Sequence, residues 1–219
     1  MTYIKICGIK EARHALAAAK AGADFIGLVF APSSRRINLE KAQHIASAVK
    51  QSGCPTEVVG IFVNLSVSTV NMVADNCNLD RVQLSGDETW EYCKEIAKPL
   101  IKAVRLKRGQ SAAEVCAYLA EGAKAMSNQK HLFLLDPQVR GKYGGTGTRL
   151  DWNLAGQIAM EYPVILAGGL TPENVSRALK MVAPWGVDVS SGVEAGGVKH
   201  VARIKAFIEA VRRFDEHGR

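Results

Sequence analysis

No apolar run in this chain approaches the roughly 20 residues that a membrane-spanning helix needs, and the first residues enter a strand-like segment without the charged-then-apolar pattern of a secretory leader. Aromatic residues make up only 6%, which leaves no stacking platform for unpaired bases. The Cys-x-x-Cys spacing does not occur. Cys7, Cys54, Cys77, Cys93 and Cys116 are odd in number and widely scattered. Neither a disulfide framework nor a zinc site is signalled, and a reducing, cytoplasmic setting is expected. No Gly-x-Gly-x-x-Gly follows the first strand, which argues against a dinucleotide-binding sheet. No linker, low-complexity tract or charge block divides the 219 residues, so one domain is expected.

What is present is an ordinary globular composition, 47% hydrophobic and 22% charged, with a formal charge of +7. The basic residues are spread along the chain. Their densest cluster, Arg203, Lys205, Arg212 and Arg213, shares a helical pattern with Val201, Ile204, Ile208 and Val211 on the opposite face. That is a solvated helix surface with a mild attraction for small anionic substrates. Neither nucleic acid nor membrane is expected as a partner.

Short β-branched apolar runs recur at 3–7, 25–30, 57–63, 81–84, 100–106, 132–135, 163–167 and 187–190. Helical patterns lie between them at 11–21, 39–50, 66–77, 87–98, 111–120, 153–161 and 172–182, and another follows at 198–213. Ser66 and Asp151 read as N-caps, Pro172 as a first-turn residue behind Thr171, and Gly22 as a helix stop. The spacing, about 26 residues per unit, suits a compact (β/α)8 barrel of the TIM type. An open doubly wound sheet is the alternative.

In a barrel the strand C-termini meet at one mouth, and here those ends are polar while the strand interiors are apolar. Cys7 closes the first run, Tyr3-Ile4-Lys5-Ile6-Cys7. It is either a thiol placed for chemistry or a buried space-filler. Asp136 ends Leu132-Phe133-Leu134-Leu135-Asp136. A carboxyl beside apolar walls suits a general acid, but an aspartate before Pro137 also suits a turn. Gly168-Gly169 before a helix start and Ser190-Ser191-Gly192 follow the seventh and eighth strands. There, backbone N–H groups can receive a phosphate, although paired glycines also make plain turns. Arg35 and Arg36, beyond the second strand, could fork onto a carboxylate or lie exposed. The glycine-rich segment 139–148 is either a lid or a surface loop. Alternation puts Tyr3, Lys5 and Cys7 on one face. If that face is the barrel interior, Lys5 needs a buried partner, and Asp188 on the adjoining eighth strand is the expected one.

Several segments together resemble the phosphoribosylanthranilate isomerase family of tryptophan biosynthesis. They are Lys5-Ile6-Cys7-Gly8-Ile9, the stretch from Phe30 through Arg36, Val82-Gln83-Leu84, Leu135-Asp136 and Gly144-Gly145-Thr146-Gly147. Ala167 through Val175 and Val187 through Glu194 complete the set, which runs in order through nearly the whole chain. The resemblance implies a (β/α)8 barrel and a cofactor- and metal-free Amadori rearrangement. In it, N-(5-phosphoribosyl)anthranilate becomes 1-(2-carboxyphenylamino)-1-deoxyribulose 5-phosphate. It further implies Cys7 as general base, Asp136 as general acid and Arg36 on the anthranilate carboxylate. Gln83 and Asp188 would line the pocket, and Gly168, Gly169, Ser190, Ser191 and Gly192 would hold the phosphate of a small substrate. One position departs. The family usually reads Val-Gln-Leu-His-Gly where this chain has Val82-Gln83-Leu84-Ser85-Gly86, and a serine cannot supply an imidazole. A thiol of ordinary pKa is mostly protonated at neutral pH, so some local field, from Lys5 or a backbone N–H, has to favour the thiolate. A phosphosugar isomerase of histidine biosynthesis and a non-catalytic phosphate-binding barrel are the rival readings. A monomer or a homodimer is expected.

Overall fold

A computed structural model describes residues 1–107, 109–137 and 150–218. Eight strands pair in chain order: β1 (Tyr3–Cys7), β2 (Phe25–Val29), β3 (Glu57–Phe62), β4 (Arg81–Leu84), β5 (Leu100–Leu106), β6 (His131–Pro137), β7 (Val164–Leu166) and β8 (Gly186–Val189). Every pairing is parallel, and β1 pairs with β8, which closes the barrel and excludes the open sheet. Eight helices stand among the described residues: α1 (Ala12–Lys20), α2 (Leu39–Gln51), α3 (Val67–Asn76), α4 (Trp90–Lys94), α5 (Ala112–Ala125), α6 (Trp152–Ala159), α7 (Val175–Val182) and α8 (Val201–His217). Between β8 and α8 lies a hairpin of two short strands, β9 (Glu194–Ala195) and β10 (Val198–Lys199). The segment 139–148 lies outside the described residues.

The strands are apolar on both faces because each face packs against something. Ile4, Ile6, Ile26, Leu28 and Val58 point outward into the core shared with Ala15, Ile45 and Ile204 of the helices. Phe25, Val59, Ile101, Leu134 and Ile165 fill the barrel itself. Its N-terminal end is plugged by Tyr3 stacked on Trp185, with ring centroids 3.9 Å apart, and by Arg81, which lies over the Phe25 ring and pairs with Glu57. Polar chemistry is left to the C-terminal mouth.

Local chemistry sets the helix starts. Ser66 accepts from Thr69 N, Asp151 from Asn153 N and Leu154 N, and Ser111 with Glu114 forms a reciprocal capping box. Three helices start three residues later than the sequence reading has them. The helix expected at 87–98 spans only Trp90–Lys94, because the preceding residues are engaged elsewhere. Asp87 N donates to Asn64 Oδ1, and Glu88 accepts from Asn64 N, Gly86 N and Lys102. Pro172 is not in a helix. Asn174 accepts from Thr171 N and donates to Gly169 O, which holds 171–174 as a turn, and α7 begins at Val175. Val198 and Lys199 belong to the hairpin, so α8 begins at Val201 and runs on to His217.

Candidate active site

The mouth holds a cleft bordered by Cys7, Gln83, Asp136, Gly168, Gly169, Asp188, Ser190 and Ser191, with apolar Val29, Ile61, Leu134 and Ala167 beneath. Parallel pairing explains why the polar residues converge, since each follows the apolar interior of its own strand. Lys5 and Asp188 are register partners across the β1–β8 seam, and Lys5 Nζ donates to Asp188 Oδ1 at 2.8 Å. Burial alone would lower the Lys5 pKa. Asp188 and Cys7 more than offset it, and the ammonium is raised above its ordinary value. A permanent cation therefore stands in the barrel between the thiol and Asp188.

Asp136 is pushed up to about 7, first by burial and then by the Asp188 carboxylate, with Lys5 and Arg105 pulling back. Near neutrality it exists in both protonation states, as a general acid requires. Cys7 runs against expectation. Burial raises its thiol above the ordinary value, and Asp188 adds to that, although Lys5 and Lys199 act the other way. Lys5 does face the thiol as foreseen, but desolvation outweighs it.

The loops that follow β7 and β8 lie side by side. Gly168 and Gly169 both take positive φ, at 93° and 65°, a conformation costly for any other residue. A Cβ at Gly192 would fall 1.9 Å from Leu170 O, so glycine is needed there for the contact between the loops. Gly192 itself is outside the cleft lining, whereas Gly168, Gly169, Ser190 and Ser191 border it. Gln83 and Ser85 are buried neighbours, with Gln83 Nε2 donating to Ser85 Oγ at 3.0 Å and Gln83 Oε1 taking no partner among the described residues. Arg35 and Arg36 divide. Arg35 borders the cleft, but its guanidinium is held by Glu194. Arg36 is exposed on the rim, outside the lining, with its backbone bridged to Val29.

Residues 4–210 match the family model for N-(5'phosphoribosyl)anthranilate (PRA) isomerase. The chain belongs to the phosphoribosylanthranilate isomerase family. Proteins of that name from Dehalococcoides mccartyi and Roseiflexus castenholzii are 46% and 47% identical to it. The first match covers 98% of both chains, and the second covers 95% of this chain and 97% of the relative. The isomerase structure from Thermus thermophilus superimposes with a TM-score of 0.81 at 32% identity, covering 97% of this chain and 100% of that one. An isomerase in complex with reduced 1-(o-carboxyphenylamino)-1-deoxyribulose 5-phosphate gives 0.78 at 34% identity with the same coverage.

As a phosphoribosylanthranilate isomerase, the chain shows two residues at its mouth that the sequence reading left without a role, Glu194 and Lys199. Lys199 is buried and Glu194 half-buried, and they form an ion pair at 2.6 Å. A signal was there to be read. Gly196-Gly197 between short β-prone stretches marks a two-residue hairpin, and both glycines take the positive φ such a turn needs, 58° and 79°. Among the described residues, no group of three or more His, Cys, Asp or Glu is arranged to hold a metal ion.

Proposed function

We propose that this chain performs the Amadori rearrangement of N-(5-phosphoribosyl)anthranilate in tryptophan biosynthesis, as a single-domain cytoplasmic enzyme acting without metal or cofactor, monomeric or homodimeric. No helix among the described residues is long and apolar enough to cross a membrane. The observation that carries the reading is the pairing of Asp136, raised to about 7, with Cys7 on the rim of one cleft that ends in the two glycine- and serine-rich loops. Asp136, protonated, donates to the furanose ring oxygen. The ring opens to a protonated imine, with the anthranilate nitrogen supplying the electron pair. Cys7 as thiolate removes the C2′ proton, and the resulting enolamine tautomerises to the ketone. Lys5 balances the charge that moves between Cys7, Asp136 and Asp188. Backbone N–H groups around Gly168-Gly169 and Ser190-Ser191 receive the phosphate, with Gly192 keeping the loops together. Arg36, on the rim, reaches the anthranilate carboxylate, and Gln83 offers its carbonyl oxygen, unpartnered among the described residues, to a substrate hydroxyl or N–H.

Incubating the purified protein separately with phosphoribosylanthranilate and with the aminoaldose phosphate substrate of histidine biosynthesis tests this reading. Turnover of the first is expected. Tight binding without turnover, or turnover of the second alone, would overturn it.

A further inference from the structure

The cluster around Lys199 holds more charge than a structural ion pair needs. Lys199 Nζ donates to Glu194 Oε1 at 2.6 Å, to Ser190 O at 2.8 Å and to Ser190 Oγ at 3.3 Å. Ser190 Oγ donates in turn to Cys7 O at 3.1 Å. On its other side Glu194 takes a bidentate fork from Arg35, Nε at 2.7 Å and Nη2 at 2.9 Å. Arg35 reaches it by lying across Gly8, where a Cβ would sit 2.4 Å from Arg35 Cδ. Two cations thus share one carboxylate, in a buried setting where apolar residues of similar size would give equal or greater stability. The surplus cation is aimed at one backbone position, the junction of β8 with the Ser190-Ser191 turn, and through the serine hydroxyl it reaches the end of β1.

We infer that Lys199 is a positioning residue for the reaction. Anchored on Glu194, it holds the Ser190 main chain so that the Ser190 hydroxyl fixes the end of β1 at Cys7 and the Ser190-Ser191 turn stays open toward the substrate phosphate. This rests on the assignment of Cys7 as base and of that turn as part of the phosphate subsite. The charged groups around the thiol are Lys5 and Asp188 inside the barrel, Arg35 from the loop after β2 and Lys199 from β10, with Asp136 in the same cleft. All but Lys199 remain in a Lys199→Met variant, and Glu194 keeps its fork to Arg35 there.

The test uses Lys199→Met, Lys199→Arg and Ser190→Ala with three readouts. They are kcat and KM, competitive inhibition by inorganic phosphate, and the pH dependence of Cys7 alkylation by iodoacetamide, followed by peptide mass spectrometry. Lys199→Met is expected to raise KM and the phosphate inhibition constant about tenfold, and to move the alkylation midpoint up by about half a pH unit. Lys199→Arg restores most of both. Ser190→Ala, which deletes only the hydroxyl between Lys199 and Cys7, reproduces the alkylation change. Wild-type phosphate inhibition and alkylation in folded Lys199→Met would overturn the inference. So would unchanged alkylation in Ser190→Ala, even if Lys199→Met fails to fold. Turnover by Cys7→Ser tests the base assignment separately, because the phosphate and alkylation readouts do not require Cys7 to be the base.

Discussion

Asp136 carries a stability cost once it is charged. Its folded pKa of about 7 lies above the ordinary 3.8, because burial and the Asp188 carboxylate disfavour its charged form. A group raised in this way contributes stability that is fully present below the unfolded pKa and is lost as pH rises through the folded one. The loss therefore falls between about pH 4 and pH 7 and amounts to roughly 4 kcal/mol. Asp136→Asn is expected to lower turnover at least about 100-fold. In urea unfolding at pH 8 it should be more stable than wild type by about 2–4 kcal/mol, a gain that fades toward pH 4. Equal stabilities at pH 8 would reject the buried-charge origin of the shift. This residue was legible in the sequence, because an apolar run ending in one carboxylate predicts desolvation. The state of Cys7 was not. Lys5 was visible as a helper, but the extent of burial, which decides the balance, depends on how eight strands close.

Among the elements, the loops after the strands carry most of the departures from the sequence reading, because long-range side-chain bonds override local propensity there. Asp87 and Glu88 look like a helix start, yet Glu88 binds two backbone N–H groups and the buried ammonium of Lys102 at 2.7 Å. Lys102→Met strands that carboxylate and is expected to cost about 3–5 kcal/mol, read as a drop in the urea midpoint. A change below about 0.5 kcal/mol would mean the pair is dispensable. Gly192→Ala forces the loops after β7 and β8 apart, since its Cβ would meet Leu170 O at 1.9 Å. It is expected to cost about 1–3 kcal/mol and to raise KM more than it lowers kcat. An unchanged KM would separate this glycine from the phosphate site. The caps at Ser66 and Asp151, by contrast, were readable because an N-cap is a contact within one turn.

Across the whole molecule, the barrel was legible because eight apolar runs at regular spacing leave few other architectures, and closure through β1 and β8 made Lys5 and Asp188 partners as expected. The network of Arg35, Glu194, Lys199, Ser190 and Cys7 was not, since it joins residues far apart in sequence through orientations that only the closed barrel sets. Closure also gathers Lys5, Cys7, Asp136 and Asp188 into one coupled set, so kcat/KM is expected to be bell-shaped. The active form has Asp136 protonated and Cys7 as thiolate; because the acid titrates below the base, it is a minority species whose fraction rises until Asp136 titrates at about pH 7 and falls once Cys7 titrates, above the ordinary thiol range. A profile that stays flat from about pH 5 to about pH 9 would contradict that coupling. The most direct test of the acid–base assignment is the fluorescence decay of phosphoribosylanthranilate with wild type, Cys7→Ser and Asp136→Asn side by side. Rapid decay with wild type is expected, and each folded variant should be at least about 100-fold slower. A near wild-type rate in either variant would contradict it.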